Sequence, residues 1–375
     1  MTQQTWADRA IAAYDALQRY FYLGDGTGLY RESYSFGSRG HSASAWGFGR
    51  ALIGTLALAG IPSRLLGERR HLEYQSAVED RLGALAHYLD SSSSPAGYGG
   101  RPTPPVGPGG DRYYDDNAWI GLALLQDYKM TGRSRSLRDA GAVYGFVYPG
   151  GWHTNPTDPH PGGIFWLQQG IGKGLANHDR TCTSNAPNAE IAFALTELLS
   201  DKAPPSVAGG AAIQDWVLGA LYDEGSGLVY DKLMGDGRID TTLRTYNQGA
   251  VIAANVMRYR TTGERSYVSQ AEAVARAALG YFSESFYVSH PCVFNAIYFR
   301  GLLQLYAVSD NTSLKSAIVL AMQTYAEDAW SNYRSRKTLF RFSASAASLD
   351  LLDQAAMVQI LATLAWDPGD YPMLG

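Results

Sequence analysis

Apolar residues recur along the chain at helical spacing, so most of the chain is predicted to be helical. In residues 4–22, Ile11, Tyr14 and Leu17 fall near one helical face. Residues 43–59 are apolar nearly all round, which predicts a buried helix, whereas residues 70–90 carry a polar side. Twelve helices are predicted in this way, over about residues 4–22, 43–59, 70–90, 115–130, 134–147, 185–199, 206–221, 246–261, 266–282, 292–308, 312–332 and 349–364.

The order of these helices predicts an all-α fold. Helices that are apolar all round alternate with amphipathic ones, as expected of an inner and an outer layer. Twelve helices arranged as six hairpins that close on themselves form an (α/α)6 toroid, predicted here as a single domain over residues 1–375. The alternative is an open solenoid of helical hairpins, but no sharp repeat of 30–45 residues favours it.

Loops rich in glycine, proline and serine separate the helices, and no long strand is predicted. The longest loops cover residues 91–110, about 150–180 and 341–348. Residues 25–30 (Asp-Gly-Thr-Gly-Leu-Tyr) are echoed by residues 223–230, which predicts a repeated unit of helix, turn and short strand. Ser345 or Ser348 is predicted to cap the last helix.

Composition excludes several classes of function. The 375 residues carry a net charge of −4, so neither a nucleic-acid partner nor an acidic tail is indicated. No segment is long and apolar enough to span a membrane, and residues 1–8 do not predict a signal peptide, so localisation stays open. The seven histidines show no metal-ligand spacing, and no glycine-rich phosphate loop follows a strand, so neither a metal nor another cofactor is predicted. Cys182 and Cys292 leave one disulfide open.

Two consecutive carboxylates, Asp115 and Asp116, are the candidate catalytic residues. They stand at a predicted helix start, between two tyrosines and an Asn-Ala-Trp segment. An aspartate there also serves as a helix cap, and this explains one of the pair better than both. Paired carboxylates about 5 Å apart suit a retaining glycosidase, in which one attacks the sugar and the other transfers the proton.

Other polar and aromatic residues cluster at the starts of the predicted buried helices and in the loops that face them. Amides that enter a buried helix need hydrogen-bond partners, either within the protein or on a bound sugar. The aromatic content of 12% fits a carbohydrate cleft. The predicted substrate-binding residues are Asn117, Trp119, Trp152, Phe165, Trp166, Asn185, Asn188, Tyr246, Asn247, Gln248, Asn295 and Arg300.

Five of these segments together resemble glycoside hydrolase family 76, the α-1,6-mannanase family. The segments are residues 114–119 (Tyr-Asp-Asp-Asn-Ala-Trp), 162–166 (Gly-Gly-Ile-Phe-Trp), 183–186 (Thr-Ser-Asn-Ala), 245–249 (Thr-Tyr-Asn-Gln-Gly) and 295–300. The resemblance implies an (α/α)6 barrel and a retaining mechanism. It also implies that Asp115 is the nucleophile and Asp116 the general acid and base.

The expected activity is therefore cleavage of α-mannosidic bonds, most simply as an endo-α-1,6-mannanase that acts as a monomer on a mannan-type glycan. Transfer to a sugar, or action on an α-glucan, remains an alternative on the same site. A glycan-binding protein without activity is a second alternative. A third is another sugar enzyme on the same toroid, although an epimerase would need catalytic histidines that are not predicted on the inner helices.

Overall fold

The computed structural model describes residues 1–35, 41–92, 94–168, 175–199, 209–343 and 348–375. Long helices dominate these residues, and they alternate between an outer and an inner position along the chain. Each odd-numbered helix lies outside and each even-numbered helix inside. The long helices are α1 (Gln3–Phe21), α2 (Ala45–Ala59), α3 (Glu68–Ala84), α4 (Tyr114–Thr131), α5 (Ser134–Val147), α6 (Cys182–Leu199), α7 (Gly209–Leu221), α8 (Thr245–Thr262), α9 (Arg265–Tyr281), α10 (Cys292–Val308), α11 (Thr312–Asn332) and α12 (Leu351–Thr363).

The six inner helices form a closed ring. Neighbours pack in the order α2, α4, α6, α8, α10 and α12, and α12 returns to α2. The first turns of successive inner helices meet at one end: the Thr245 hydroxyl bonds Asn295, and the Cys182 thiol lies 3.8 Å from the carbonyl of Asn247. This closure confirms the predicted (α/α)6 toroid and excludes the open solenoid.

Burial follows the pattern of apolar residues. In α12 all residues from 354 to 363 are buried, whereas α3 buries only Tyr74, Val78, Arg81 and Ala84 along one side. Two glycines allow the closest approach inside the ring. A Cβ on Gly301 of α10 would lie 2.1 Å from the carbonyl oxygen of Gly249 in α8, so neither position tolerates a side chain.

Short strands lie in the connections between the helices. The prediction included a short strand at the end of residues 223–230 but missed the hairpin, in which β6 extends to Leu233 and pairs with β7. The segment Leu-Val-Tyr-Asp-Lys-Leu alternates between buried and half-buried positions, which is the pattern of a strand. The strands are β1 (Ser33–Tyr34), β2 (Leu89–Asp90), β3 (Gly97–Tyr98), β4 (Arg180–Thr181), β5 (Tyr222–Asp223), β6 (Leu228–Leu233), β7 (Ile239–Leu243) and β8 (Leu349–Asp350).

Several helix ends differ from the prediction. Helix α6 begins three residues earlier than expected, so Asn185 lies inside its first turn and does not cap it. The side chain that caps α12 is Asp350 and not Ser348, while Ser345 and residues 206–208 lie outside the described residues. Cys182 and Cys292 are both buried and free, so they form no disulfide.

The predicted repeat of the aspartate turn is present. Asp25 accepts hydrogen bonds from the backbone and hydroxyl of Thr27, and Asp223 accepts the corresponding bonds from Ser226. Each turn leads from an outer helix towards the next inner helix. No helix among the described residues is long and apolar enough to cross a membrane.

Candidate active site

Asp115 and Asp116 lie in the first turn of α4, at the end of the ring where the inner helices begin. Both are half-buried. Tyr113 occupies the N-cap position without a side-chain bond, and Asp115 Oδ1 accepts the backbone N–H of Asp116 at 3.0 Å. One aspartate therefore satisfies a free N–H group of the first turn, as a capping residue does, while Asp116 leaves its carboxylate for other contacts.

Trp166 holds the other oxygen of Asp115. Its indole Nε1 donates to Asp115 Oδ2 at 3.0 Å. Its backbone joins two segments, since Tyr114 N donates to Trp166 O at 2.9 Å and Trp166 N donates to Asp179 O at 2.8 Å. The loop is thus bonded to the start of α4, and Trp166 contributes a hydrogen bond to Asp115 that the sequence did not predict.

The surroundings of Asp115 stabilise its ionised form more than the surroundings of Asp116 stabilise that of Asp116. Burial raises the pKa of Asp115 to about 6, and hydrogen bonds from Asp116 N, Trp166 and Thr183 oppose this rise. Hydrogen bonds to a carboxylate stabilise its ionised state. Thr183 belongs to the first turn of α6, so Asp115 faces that side of the ring.

Asp116 has the opposite environment. Burial raises its pKa well above the ordinary value, and the charges of Asp115 and Glu32 raise it further. No hydrogen bond from the described residues lowers it. Glu32 accepts bonds from Ser44 at the start of α2 and from Arg101, so Asp116 faces the α2 side. The two carboxylates therefore favour different protonation states at neutral pH, as an acid and a nucleophile require.

Three of the predicted amides share one structural arrangement, which we call the amide clamp. In each, the side-chain oxygen accepts the backbone N–H of a loop or strand residue, and the side-chain nitrogen donates to the carbonyl of that same residue. The nitrogen also donates to the carbonyl four residues earlier in its own helix start. The clamps are Asn117 on Tyr98, Asn185 on Ile164 and Gln248 on Val229.

The amide clamps fix the segments around the cleft. Asn117, Asn185 and Gln248 are all fully buried. Both hydrogens of each amide are bonded to backbone carbonyls, so these residues have no free donor for a sugar hydroxyl. Two of their partners lead directly to residues of the candidate site: Ile164 precedes Phe165 and Trp166, and Val229 lies in β6 with Asp231. The clamps therefore support the wall of the site from behind.

Three other residues that were predicted to bind substrate form hydrogen bonds within the protein instead. Arg300 forms two bonds to Glu190, at 2.7 and 3.0 Å, in the interior of the ring. Asn295 donates to the carbonyl of Tyr287 at 2.7 Å, and Asn188 donates to that of Ser184 at 2.8 Å. Buried charges require such pairing, so Arg300 serves Glu190 and does not point to a ligand.

Tyr246 and Asn247 lie beside an acid that the sequence did not single out, Asp231. Its Oδ1 accepts from the Tyr246 hydroxyl at 3.2 Å and from Asn247 at 2.9 Å. The Tyr246 ring stacks on Phe294 with centroids 4.0 Å apart. Burial raises the pKa of Tyr246, and the charges of Asp231 and then Asp115 raise it further, so this ring lies near Asp115.

The remaining aromatic candidates divide into two groups. Trp119 is buried and its ring lies 6.0 Å from that of Trp46, a half-buried residue in the first turn of α2. Trp152 and Phe165 lie in the loop after α5.

The prediction missed Trp46, Glu32, Thr183 and Asp231, although a Trp or hydroxyl in the first turn of a buried helix is a usable signal. Within the described residues, no group of three or more potential ligands is placed to hold a metal ion.

The comparison with protein families identifies the family of this chain. The model of Glycosyl hydrolase family 76 matches residues 96–367. The chain belongs to glycosyl hydrolase family 76. This confirms the resemblance seen in the sequence motifs. No curated protein is significantly similar to the chain.

Solved structures with the family 76 fold are similar to this chain over nearly its whole length. A family 76 mannosidase of Bacteroides thetaiotaomicron has a TM-score of 0.80 and 22% identity, covering 96% of this chain and 98% of that one. An α-1,6-mannanase of Salegentibacter has a TM-score of 0.75 and 20% identity, covering 96% and 99%. Dfg5 of Chaetomium thermophilum, solved with glucosamine, has a TM-score of 0.69 and 15% identity, covering 98% and 90%.

Proposed function

We propose that this family 76 protein is a retaining endo-α-1,6-mannanase, with Asp115 as nucleophile and Asp116 as general acid and base. The observation that carries the proposal is the unequal environment of the two consecutive carboxylates. Asp115 is bonded by the Trp166 indole and by a backbone N–H, whereas Asp116 is desolvated beside two negative charges. A retaining glycosidase needs one ionised and one protonated carboxyl group on the same sugar.

In the first step, Asp115 attacks the anomeric carbon while Asp116 gives its proton to the departing glycosidic oxygen. The glycan leaves with that proton, and the sugar remains as an ester on Asp115. In the second step, Asp116 takes a proton from water, which attacks the anomeric carbon and releases Asp115. Two displacements retain the anomeric configuration.

The α-1,6-mannan specificity rests on relatives with the same fold. The Salegentibacter α-1,6-mannanase has been solved with α-1,6-mannotriose, in a variant described as inactive in which two consecutive aspartates are replaced by asparagine. In this chain, Tyr246, Trp46 and Trp152 are proposed platforms for the sugar rings. The clamp amides, with Asn188, Asn295 and Arg300, are proposed to hold the wall on which these platforms lie.

The test is incubation with α-1,6-mannan, other α-linked mannans and α-glucans, followed by product sizing and NMR of the first anomer released. We expect α-1,6-mannooligosaccharides that appear as the α anomer. Asp115→Asn and Asp116→Asn should each lower kcat by at least about a thousandfold. Longer products would indicate transfer to a sugar, and binding without products would indicate a non-catalytic protein.

Azide distinguishes the two roles. In Asp116→Ala, the ester on Asp115 still forms from an activated aryl α-mannoside, whose leaving group needs no proton. Azide needs no general base, so it should attack this ester and restore turnover, giving the α-glycosyl azide. In Asp115→Ala, azide would replace the nucleophile itself and give the β-glycosyl azide. The reverse pattern would exchange the two roles.

A further inference from the structure

A second cavity of about 350 Å³ lies beside the candidate active site. We call it the Phe165 pocket; its walls include His153, Asp158, His160, Phe165, His178 and the turn Met234–Gly237. Its volume is within the range of pockets that bind small ligands. Neither of the carboxylates assigned to catalysis lines it.

The Phe165 pocket and Asp115 lie on opposite sides of one stretch of chain. Ile164 pairs with Trp152 and Leu167 pairs with Tyr113, so the chain between them is held by neighbours at both ends. Successive side chains of an extended segment point to opposite faces. The Trp166 indole bonds Asp115, and the ring of the preceding Phe165 lines the pocket. Residues 165 and 166 are adjacent in the chain, so the pocket lies close to the carboxylate that Trp166 binds.

Aromatic rings give the pocket flat apolar surfaces. The Phe165 ring lies 5.3 Å from the His153 ring at 75°, and 6.2 Å from the His178 ring at 82°. Each histidine ring therefore stands nearly at right angles to the Phe165 ring and forms a corner with it. Such a corner offers apolar faces to the C–H groups of a pyranose and ring nitrogens to its hydroxyls.

The charges of the pocket are already compensated by protein groups. Asp158 accepts from Arg180 at 3.0 Å and lies 3.1 Å from the His153 ring nitrogen. Asp236 pairs with Arg238 at 2.7 Å. A charged ligand would have to compete with these pairs, so a neutral ligand is favoured.

Two ring systems remain open to a ligand. His160 and His178 make no side-chain hydrogen bond to another described residue, and His178 is exposed. The pocket's histidines and carboxylates do not form a metal site within the described part of the chain. Polar groups of this kind, close to aromatic faces, match a hydroxyl-rich neutral ligand.

We propose that the Phe165 pocket is a distal glycan subsite, which binds a neutral pyranose unit of the same chain whose glycosidic bond lies at Asp115. This inference rests on the proposed function. It assigns the pocket to a sugar beyond those at the cleavage point, so its effect should depend on chain length. We expect a trisaccharide held at the carboxylates to leave the pocket empty and a hexasaccharide to fill it.

The experiment measures kcat/KM on α-1,6-mannohexaose and on α-1,6-mannotriose for the wild type, Phe165→Ala and His178→Ala. We expect the ratio of hexaose to triose to fall about tenfold in Phe165→Ala and less in His178→Ala, since one well-packed aromatic contact is worth that much. Tyr281→Ala, which removes an exposed ring from α9, is the matched control and should keep the ratio. Equal ratios in all variants would overturn the subsite while leaving the mannanase proposal intact.

Calorimetric titration with the same two glycans tests the subsite independently of turnover. In the Asp116→Asn background, Phe165→Ala should weaken binding of the hexaose about tenfold more than binding of the triose. His178 is exposed, so His178→Ala gives a folded second variant if Phe165→Ala does not fold. If the wild type cleaves neither glycan, the proposed function fails, and the titration still decides the subsite. Absence of hexaose binding, or equal loss for both glycans, would overturn it.

Discussion

The indole of Trp166 donates a hydrogen bond to Asp115 Oδ2 at 3.0 Å, across 51 positions of sequence. The same tryptophan is bonded through its backbone to Tyr114 and Asp179. Its position is therefore set by two segments of the wall. The donor stabilises the ionised carboxylate and orients one oxygen, which favours a charged Asp115, the proposed nucleophile, beside a protonated Asp116.

Replacing Trp166 by phenylalanine should shift the acidic limb of the pH profile of kcat/KM to higher pH. The variant keeps a ring but loses the donor, so the pKa of Asp115 should rise above about 6. One hydrogen bond to a charged group corresponds to a shift of about one unit. We expect kcat/KM to fall more at pH 5 than at pH 7. Trp330→Phe, on outer helix α11, is the control. An unchanged limb in Trp166→Phe would contradict the role of the indole.

Asp116→Asn should stabilise the protein while removing its activity. The folded-state pKa of Asp116 is raised, so the folded protein retains a proton that the unfolded chain releases at lower pH. Stability of the wild type is therefore lost as pH rises from the unfolded value near 4 through the folded pKa. In Asp116→Asn the amide does not ionise, so this loss of stability does not occur.

Urea unfolding at several pH values measures this gain. We expect about 1 kcal/mol in favour of Asp116→Asn at pH 7, falling towards zero at pH 4. Asp8→Asn, at an exposed position of α1, should show no such trend. A destabilised Asp116→Asn at pH 7 would contradict the raised pKa.

Asn185→Ala tests the amide clamp. The change leaves the N–H and carbonyl of Ile164 without the partner that holds them at 2.6 and 3.0 Å. Loss of the clamp should lower the free energy of unfolding by about 2–4 kcal/mol. It should also lower kcat, because Trp166 lies two residues further along. Asn332→Ala, an exposed asparagine at the end of α11, is the control and should change neither quantity. A normal kcat with a lower stability would limit the clamp to folding.

Arg300→Met tests the buried pair with Glu190. Removing one partner leaves a charge in the interior, so the free energy of unfolding should fall by about 3–5 kcal/mol. The double change Arg300→Met and Glu190→Met should recover much of this loss, because no unpaired charge remains. Calorimetry on the three variants measures both effects. If Arg300 bound substrate directly, the double variant would recover stability but show a large rise in KM.

The helices and the position of the two consecutive carboxylates could be predicted from the sequence because their signals are local. Apolar spacing within one helix determines which side is buried, and a segment that is apolar nearly all round, such as residues 45–59, is buried on every side. Consecutive aspartates at a helix start are adjacent whatever the rest of the chain does. The hairpin of β6 and β7 was missed although it is local, because β7 (Ile-Asp-Thr-Thr-Leu) is exposed or half-buried throughout and lacks the apolar alternation that marks a strand.

The roles of the surrounding polar residues were decided only by tertiary structure. Asn117, Asn185 and Gln248 look like sugar-binding amides in the sequence, yet each bonds a backbone segment about 20 positions away. An amide serves a sugar hydroxyl and a peptide group equally well, so residue type cannot distinguish them. The sequence by itself determined the ring of helices and the two carboxylates. Packing decided which polar groups keep a free atom at the cleft, because buried donors and acceptors must first be satisfied within the protein.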